Sequence, residues 1–124
     1  MAAELHVELV AADRQVWSGE ATLVVARTES GDIGVMAGHQ PLLGVLESGP
    51  VTIRTSEGKV VVAAVHGGFI TFADNKLSLL AEIAELADEI DVQRAERALE
   101  RAKSDADAAA ERRAEVRLLS VSKR

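Results

Sequence analysis

Apolar and polar positions alternate over residues 4–10, where Leu5, Val7 and Leu9 stand between Glu4, His6 and Glu8. A period of two predicts a strand with one buried face. Asp13-Arg14 reads as a turn, Val16-Trp17 leads to Ser18-Gly19, and residues 20–27 read as a second strand. Its run Leu23-Val24-Val25-Ala26 predicts burial on both faces. Short strands are further predicted over residues 33–36, 43–46, 51–55, 60–66, 69–73 and 76–83. Turn residues separate them: Ser48-Gly49-Pro50, the hairpin connection Ser56-Glu57-Gly58-Lys59, Gly67-Gly68 and Asp74-Asn75. Many short strands at close spacing predict an antiparallel β-sandwich or barrel, because a single sheet would leave an apolar face in water.

From Asp88 the period changes. Ala95, Ala98, Leu99 and Ala102 fall on one face of a helix. Asp88 or Asp91 can cap its start. Ser104-Asp105-Ala106-Asp107 has the pattern of a capping box opening a second helix, with Ala106, Ala110, Ala114, Leu118 and Val121 as its stripe. The short break predicts an antiparallel helical hairpin. Alanine favours the helix but buries little apolar area, so such a hairpin forms well and docks weakly.

Composition sharpens this division. All nine glycines and both prolines of the 124 residues lie before Phe69. Residues 1–87 carry 11 acids and 5 bases; residues 88–124 carry 9 of each at higher density. Two regions are expected, a β domain over 1–87 and a two-helix domain over 88–124. The net charge of −6 and three aromatic residues speak against nucleic-acid binding. There are no cysteines, so thiol catalysis, disulfides and thiolate metal sites are excluded. His6, His39 and His66 are isolated and lack metal-ligand spacing. No P-loop, dinucleotide fingerprint, nucleophile elbow or nucleophile–base–acid set is present, no apolar run reaches the length of a membrane span, and no signal peptide is read.

The densest motif is Gly31-Asp32-Ile33-Gly34-Val35-Met36-Ala37-Gly38-His39-Gln40-Pro41-Leu42-Leu43. Gly31, Asp32, Ile33, Gly34, Gly38, His39, Pro41, Leu42 and Leu43 resemble the G-[DE]-[IL]-G-x-x-P-G-H-x-P-L-L signature of the epsilon subunit of F-type (rotary) ATP synthases. Ala37 departs from it, since most members carry Pro there. Gly67-Gly68-Phe69 resembles a second family element. Ile90-Asp91-Val92-Gln93-Arg94-Ala95 resembles the [IL]-D-x-x-R-A motif of ATP-binding members. The likeness runs from the first strand to the hairpin.

That resemblance implies a subunit without a catalytic site or a required cofactor, peripheral to the cytoplasmic face of the cell membrane. Its implied partners are the gamma subunit and the c-ring, met through Gly31, Asp32, Gly38, His39 and Pro41. The hairpin then regulates ATP hydrolysis and contacts the alpha and beta catalytic subunits through Arg112, Arg113 and Arg117, with Lys123 and Arg124 nearby. ATP is implied as a regulatory ligand at Glu85, Ile90, Asp91, Arg94, Ala95 and Arg101, with a contribution from Arg112, Arg113 or Arg117. The residue types themselves are suited to binding phosphate. Asp91 and Arg94 share a helix face, and Arg94, Arg97 and Arg101 form a row of guanidinium groups fit for phosphate oxygens. The same residues also read as a cap and a solvated face. A stand-alone β-sandwich binding module is the competing class.

Overall fold

The computed structural model describes residues 3–124. Seven strands come first: β1 (Leu5–Ala11), β2 (Gln15–Thr28), β3 (Gly31–Val35), β4 (Leu42–Leu46), β5 (Gly49–Thr55), β6 (Val60–Ala73) and β7 (Lys76–Leu86). A 3₁₀ turn at Ala87–Glu89 leads into α1 (Val92–Ser104) and α2 (Ala108–Lys123). The predicted β-sandwich followed by a helical hairpin is what forms.

Two long strands make the sandwich. β2 pairs with β1 through its first half and with β5 and β3 through its second. β6 pairs with β5 over Val60–Val65 and with β4 over Gly68–Phe72. Each strand thus serves both layers. The alternating positions of β1 point Leu5, Val7 and Leu9 into a shared core with Val24, Ile53, Val65, Ile70 and Leu79.

Several boundaries differ from the sequence reading. Residues 60–66 and 69–73 belong to one strand, β6, because Gly67 and Gly68 kink the chain without ending it. Both have positive φ, 78° and 122°. The register with β7 runs through the kink, from Val65 opposite Ala84 to Ile70 opposite Leu79. Both strands change the parity of their buried face there, so the β6–β7 ribbon turns from one layer into the other. Gly49 and Pro50 open β5 instead of preceding it. Pro50 is tolerated because β2 joins β5 only from Thr52 onward. The sandwich is also not wholly antiparallel: β1 lies parallel to β7, with His6 opposite Lys76. β1 is bordered by the nearby β2 on one side and by the distant β7 on the other.

Asp91 caps α1, its carboxylate accepting from the Arg94 N–H at 3.1 Å. The second cap is Asp107, which accepts from the Ala110 N–H at 3.1 Å. Ser104 and Asp105 do not open α2; they finish α1. Ala106 N–H bonds the Lys103 carbonyl and Asp107 N–H the Ala102 carbonyl, a Schellman closure with Ala106 left-handed at φ 54°. Ala106 is therefore exposed and off the predicted stripe. α2 packs on β5 and β6, and α1 packs on α2. Lying between sheet and helix, α2 buries Val116 and Ser120 as well as Ala114. The Ser120 hydroxyl is satisfied by the Val116 carbonyl at 2.7 Å.

Candidate functional site

Where β7 ends, four pieces of chain converge: Glu85 on the strand, the 3₁₀ turn, the capped start of α1 and the middle of α2. They enclose a groove of about 550 Å³, within the usual range for small-molecule sites. Glu85, Ile90, Asp91, Arg94, Ala95 and Arg101 all line it, together with Glu89, Arg97, Ala98 and Arg117. Ile90 and Ala95 are buried and form an apolar floor with Ala64 and Val116.

The polar groups differ in how they are engaged. Asp91 is occupied as the helix cap. Glu89 is held by Arg14 at 3.1 Å and accepts from the Leu86 N–H at 3.3 Å. Arg14 lowers the Glu89 carboxyl below its usual range. Arg117 Nε donates to Glu85 Oε1 at 2.5 Å, bridging α2 and β7. Among the described residues Arg94, Arg97 and Arg101 form no ion pair. Their guanidinium groups rise from one face of α1 toward the groove. The arrangement can hold an anion with several charges beside an apolar floor.

Of the three second-helix arginines, Arg117 alone lines this groove. Arg112 is exposed, and Arg113 is half-buried on the side toward His66. Lys123 is exposed, and Arg124 pairs with Asp88 at 3.0 Å. Sequence reasoning singles out Arg97 as part of the guanidinium row but does not single out Glu89 or Arg14 as members of the site. Arg97 is legible from the i, i+3 row; the Arg14–Glu89 pair spans 75 positions and has no local signal.

The glycine-rich loop lies at the other end of β6. Gly38 and Pro41 are exposed there and His39 is half-buried, whereas Gly31 and Asp32, also exposed, open β3 at its far end, where Thr28 pairs with Gly31 and Leu46. Asn75 fixes the loop: its side chain accepts from the Gly38 N–H at 2.8 Å, and its carbonyl accepts from the His6 N–H at 2.9 Å. His39 N–H bonds the Met36 carbonyl at 3.1 Å, and its ring meets Phe72 edge-on at 5.9 Å. Asp32 pairs with Arg27 at 3.2 Å. Beside the loop, an outward row of apolar residues crosses three strands in register, Val45 opposite Phe69 and Phe69 opposite Leu80. Leu43, two residues before Val45 on the same face of β4, extends it at 76% exposure, and Met36 is likewise exposed in the loop after β3. Contiguous exposed apolar rows are typical of interaction surfaces. This row is not legible in the sequence, because it depends on pairing between distant strands.

The chain is thus a β-sandwich with an exposed apolar row across β4, β6 and β7 and a two-helix hairpin packed on β5 and β6. The model of the ATP synthase delta/epsilon chain β-sandwich domain matches residues 4–87. The ATP synthase epsilon chains of Streptomyces avermitilis and Streptomyces coelicolor are 87% and 82% identical over 124 residues, with both chains covered in full. That of Rhodococcus opacus is 50% identical over 116 residues, 93% of this chain and 95% of the relative. A chain in the cryo-EM structure of the Euglena gracilis mitochondrial ATP synthase shares the fold at a TM-score of 0.77 and 23% identity, covering 98% of this chain and 82% of its own. This chain belongs to the ATP synthase epsilon chain family.

Proposed function

We propose that the chain is a non-catalytic rotor subunit that joins the gamma subunit to the c-ring in the central stalk of an F-type ATP synthase. It works peripherally at the cytoplasmic face of the membrane. Among the described residues no helix is long and apolar enough to cross a membrane. The exposed row Val45, Phe69 and Leu80 supports an apolar contact with gamma, and the exposed residues Gly38 and Pro41 in the loop after β3, with Gly31 and Asp32 exposed at the start of β3, support contact with the c-ring. The helical hairpin is a regulatory arm. Docked on the sandwich, it permits ATP hydrolysis; extended toward the alpha and beta subunits, it restrains hydrolysis, with Arg112 and Arg113 free to meet acidic segments.

The observation that carries the regulatory reading is the groove shared by β7, α1 and α2. ATP fits its chemistry: Arg94, Arg97 and Arg101 suit the phosphates, Ile90 and Ala95 suit an apolar face, and Glu85 suits the adenine amino group. A ligand touching all three elements stabilises the docked state, because it binds that state better than the extended one. Hydrolysis by a reconstituted complex tests this. Removing residues 88–124 is expected to raise the rate, and an unchanged rate contradicts an inhibitory arm.

A further inference from the structure

His66 stands on β6 on the row that also holds Val62 and Ala64, directly beneath α2. It is 5% exposed, and neither Nδ1 nor Nε2 has a hydrogen-bond partner. A buried imidazole with both nitrogens unpaired is destabilising as a neutral ring and more so as a cation. An apolar residue of the same size would hold the hairpin better. The feature therefore weakens docking, in a way that depends on protons.

The charges around the ring set the sign. α2 presents Arg113 and Arg117 to it. β7 presents Glu85, whose Oε1 is 4.0 Å from Nε2 and already engaged by Arg117; Glu82 lies beside the neighbouring Gly67. β5, the third element against this stretch, places only Pro50 and Gly49 opposite Ala64 and Val65. A proton on His66 would thus add a buried cation faced by two guanidinium groups and one carboxylate already neutralised by Arg117.

We propose that His66 is an acid-operated release for the helical hairpin: the neutral ring lets the hairpin dock on the sandwich, and protonation of the ring drives it off. Undocking opens the outer face of β6 to water and frees both nitrogens for solvation. Burial first, and the positive charge of Arg117 next, lower the pKa of the docked ring from 6.5 to about 4. The undocked ring titrates near the ordinary value. Docking is thus unaffected above about pH 6.5, weakens as pH falls from there, and loses no more below about pH 4. Between about pH 7.5 and 5.5 the docking constant should fall roughly tenfold. The device does not depend on nucleotide binding and acts on the hairpin in its absence.

Native-state amide exchange on the full chain without nucleotide tests it. Protection of the central α2 amides, corrected for the intrinsic pH dependence of exchange, should drop roughly tenfold from about pH 7.5 to 5.5, while that of β1 and β7 holds. In His66→Leu, and in His66→Gln should the first variant disturb packing, α2 protection should be the same at both pH values. Equal α2 protection in the unsubstituted chain at the two pH values overturns the proposal. So does an undiminished acid loss in both variants, which would assign the effect to the carboxylates.

Discussion

Arg117 on α2 donates to Glu85 on β7 across 32 positions of sequence, and the pair closes one wall of the groove at the hairpin's base. Both side chains are about two-thirds or more buried, at 25% and 33% exposure. Partial burial makes such a charge-assisted bond worth about 1 kcal/mol, more than a surface ion pair. Arg117→Ala should therefore loosen α2 by about that amount. Native-state exchange of the α2 amides reads it directly, and the β1 amides serve as the unaffected reference.

Gly68 is fixed by its neighbours. A Cβ built there would fall 2.0 Å from the Leu80 carbonyl oxygen, and φ is 122°. The nearest atoms are all β7 backbone, at Leu80 and Ala81, which cannot give way as a flexible side chain would. Gly68→Ala should cost more than about 3 kcal/mol, near the upper end for single substitutions. Urea unfolding should show either a large fall in midpoint or no folded sandwich.

Ala106 occupies the left-handed position of the α1 closure, where glycine is the usual residue. Its Cβ costs roughly 1 kcal/mol in that conformation. Ala106→Gly should stabilise the hairpin by up to about 0.6 kcal/mol, after allowing for the larger entropy of glycine in the unfolded chain. Amide exchange at the end of α1 would register the gain.

Ala37 precedes Gly38 in a turn closed by the His39 N–H on the Met36 carbonyl, with Gly38 at φ 83°. That is the pattern of a type II turn, whose second position favours proline. Ala37→Pro should raise stability by about 0.4–1 kcal/mol, chiefly by restricting the unfolded chain. Thermal unfolding of the full chain measures it, with an upward shift expected.

The fold class is readable because period-two alternation at Leu5, Val7 and Leu9 and period-3.6 spacing at Ala95, Leu99 and Ala102 report directly on local geometry. The kink at Gly67-Gly68 is visible as a breaker, but its effect depends on β7 following the same turn, which is a pairing of distant residues. The groove residues of α1 are readable from spacing and from the family motif. Arg117 is one of three arginines on α2, and choosing it requires knowing which face of that helix meets β7. The second helix starts later than the sequence suggests because Ser104-Asp105-Ala106-Asp107 satisfies a cap pattern at two positions, and only the Schellman bonds of Ala106 and Asp107 decide between them. His66 reads as an ordinary strand residue; its isolation follows from α2 covering it.

The most direct test of the regulatory reading is an amide-resolved NMR titration of the full chain with ATP, with and without Mg²⁺. The account predicts shifts confined to Glu85, residues 89–101 and the Arg117 region of α2, lost in Arg94→Ala while the sandwich spectrum is unchanged. A flat titration up to about 1 mM ATP, a concentration that would reveal even weak specific binding, would contradict it. Asp91 would then be a helix cap, and Arg94, Arg97 and Arg101 a solvated face.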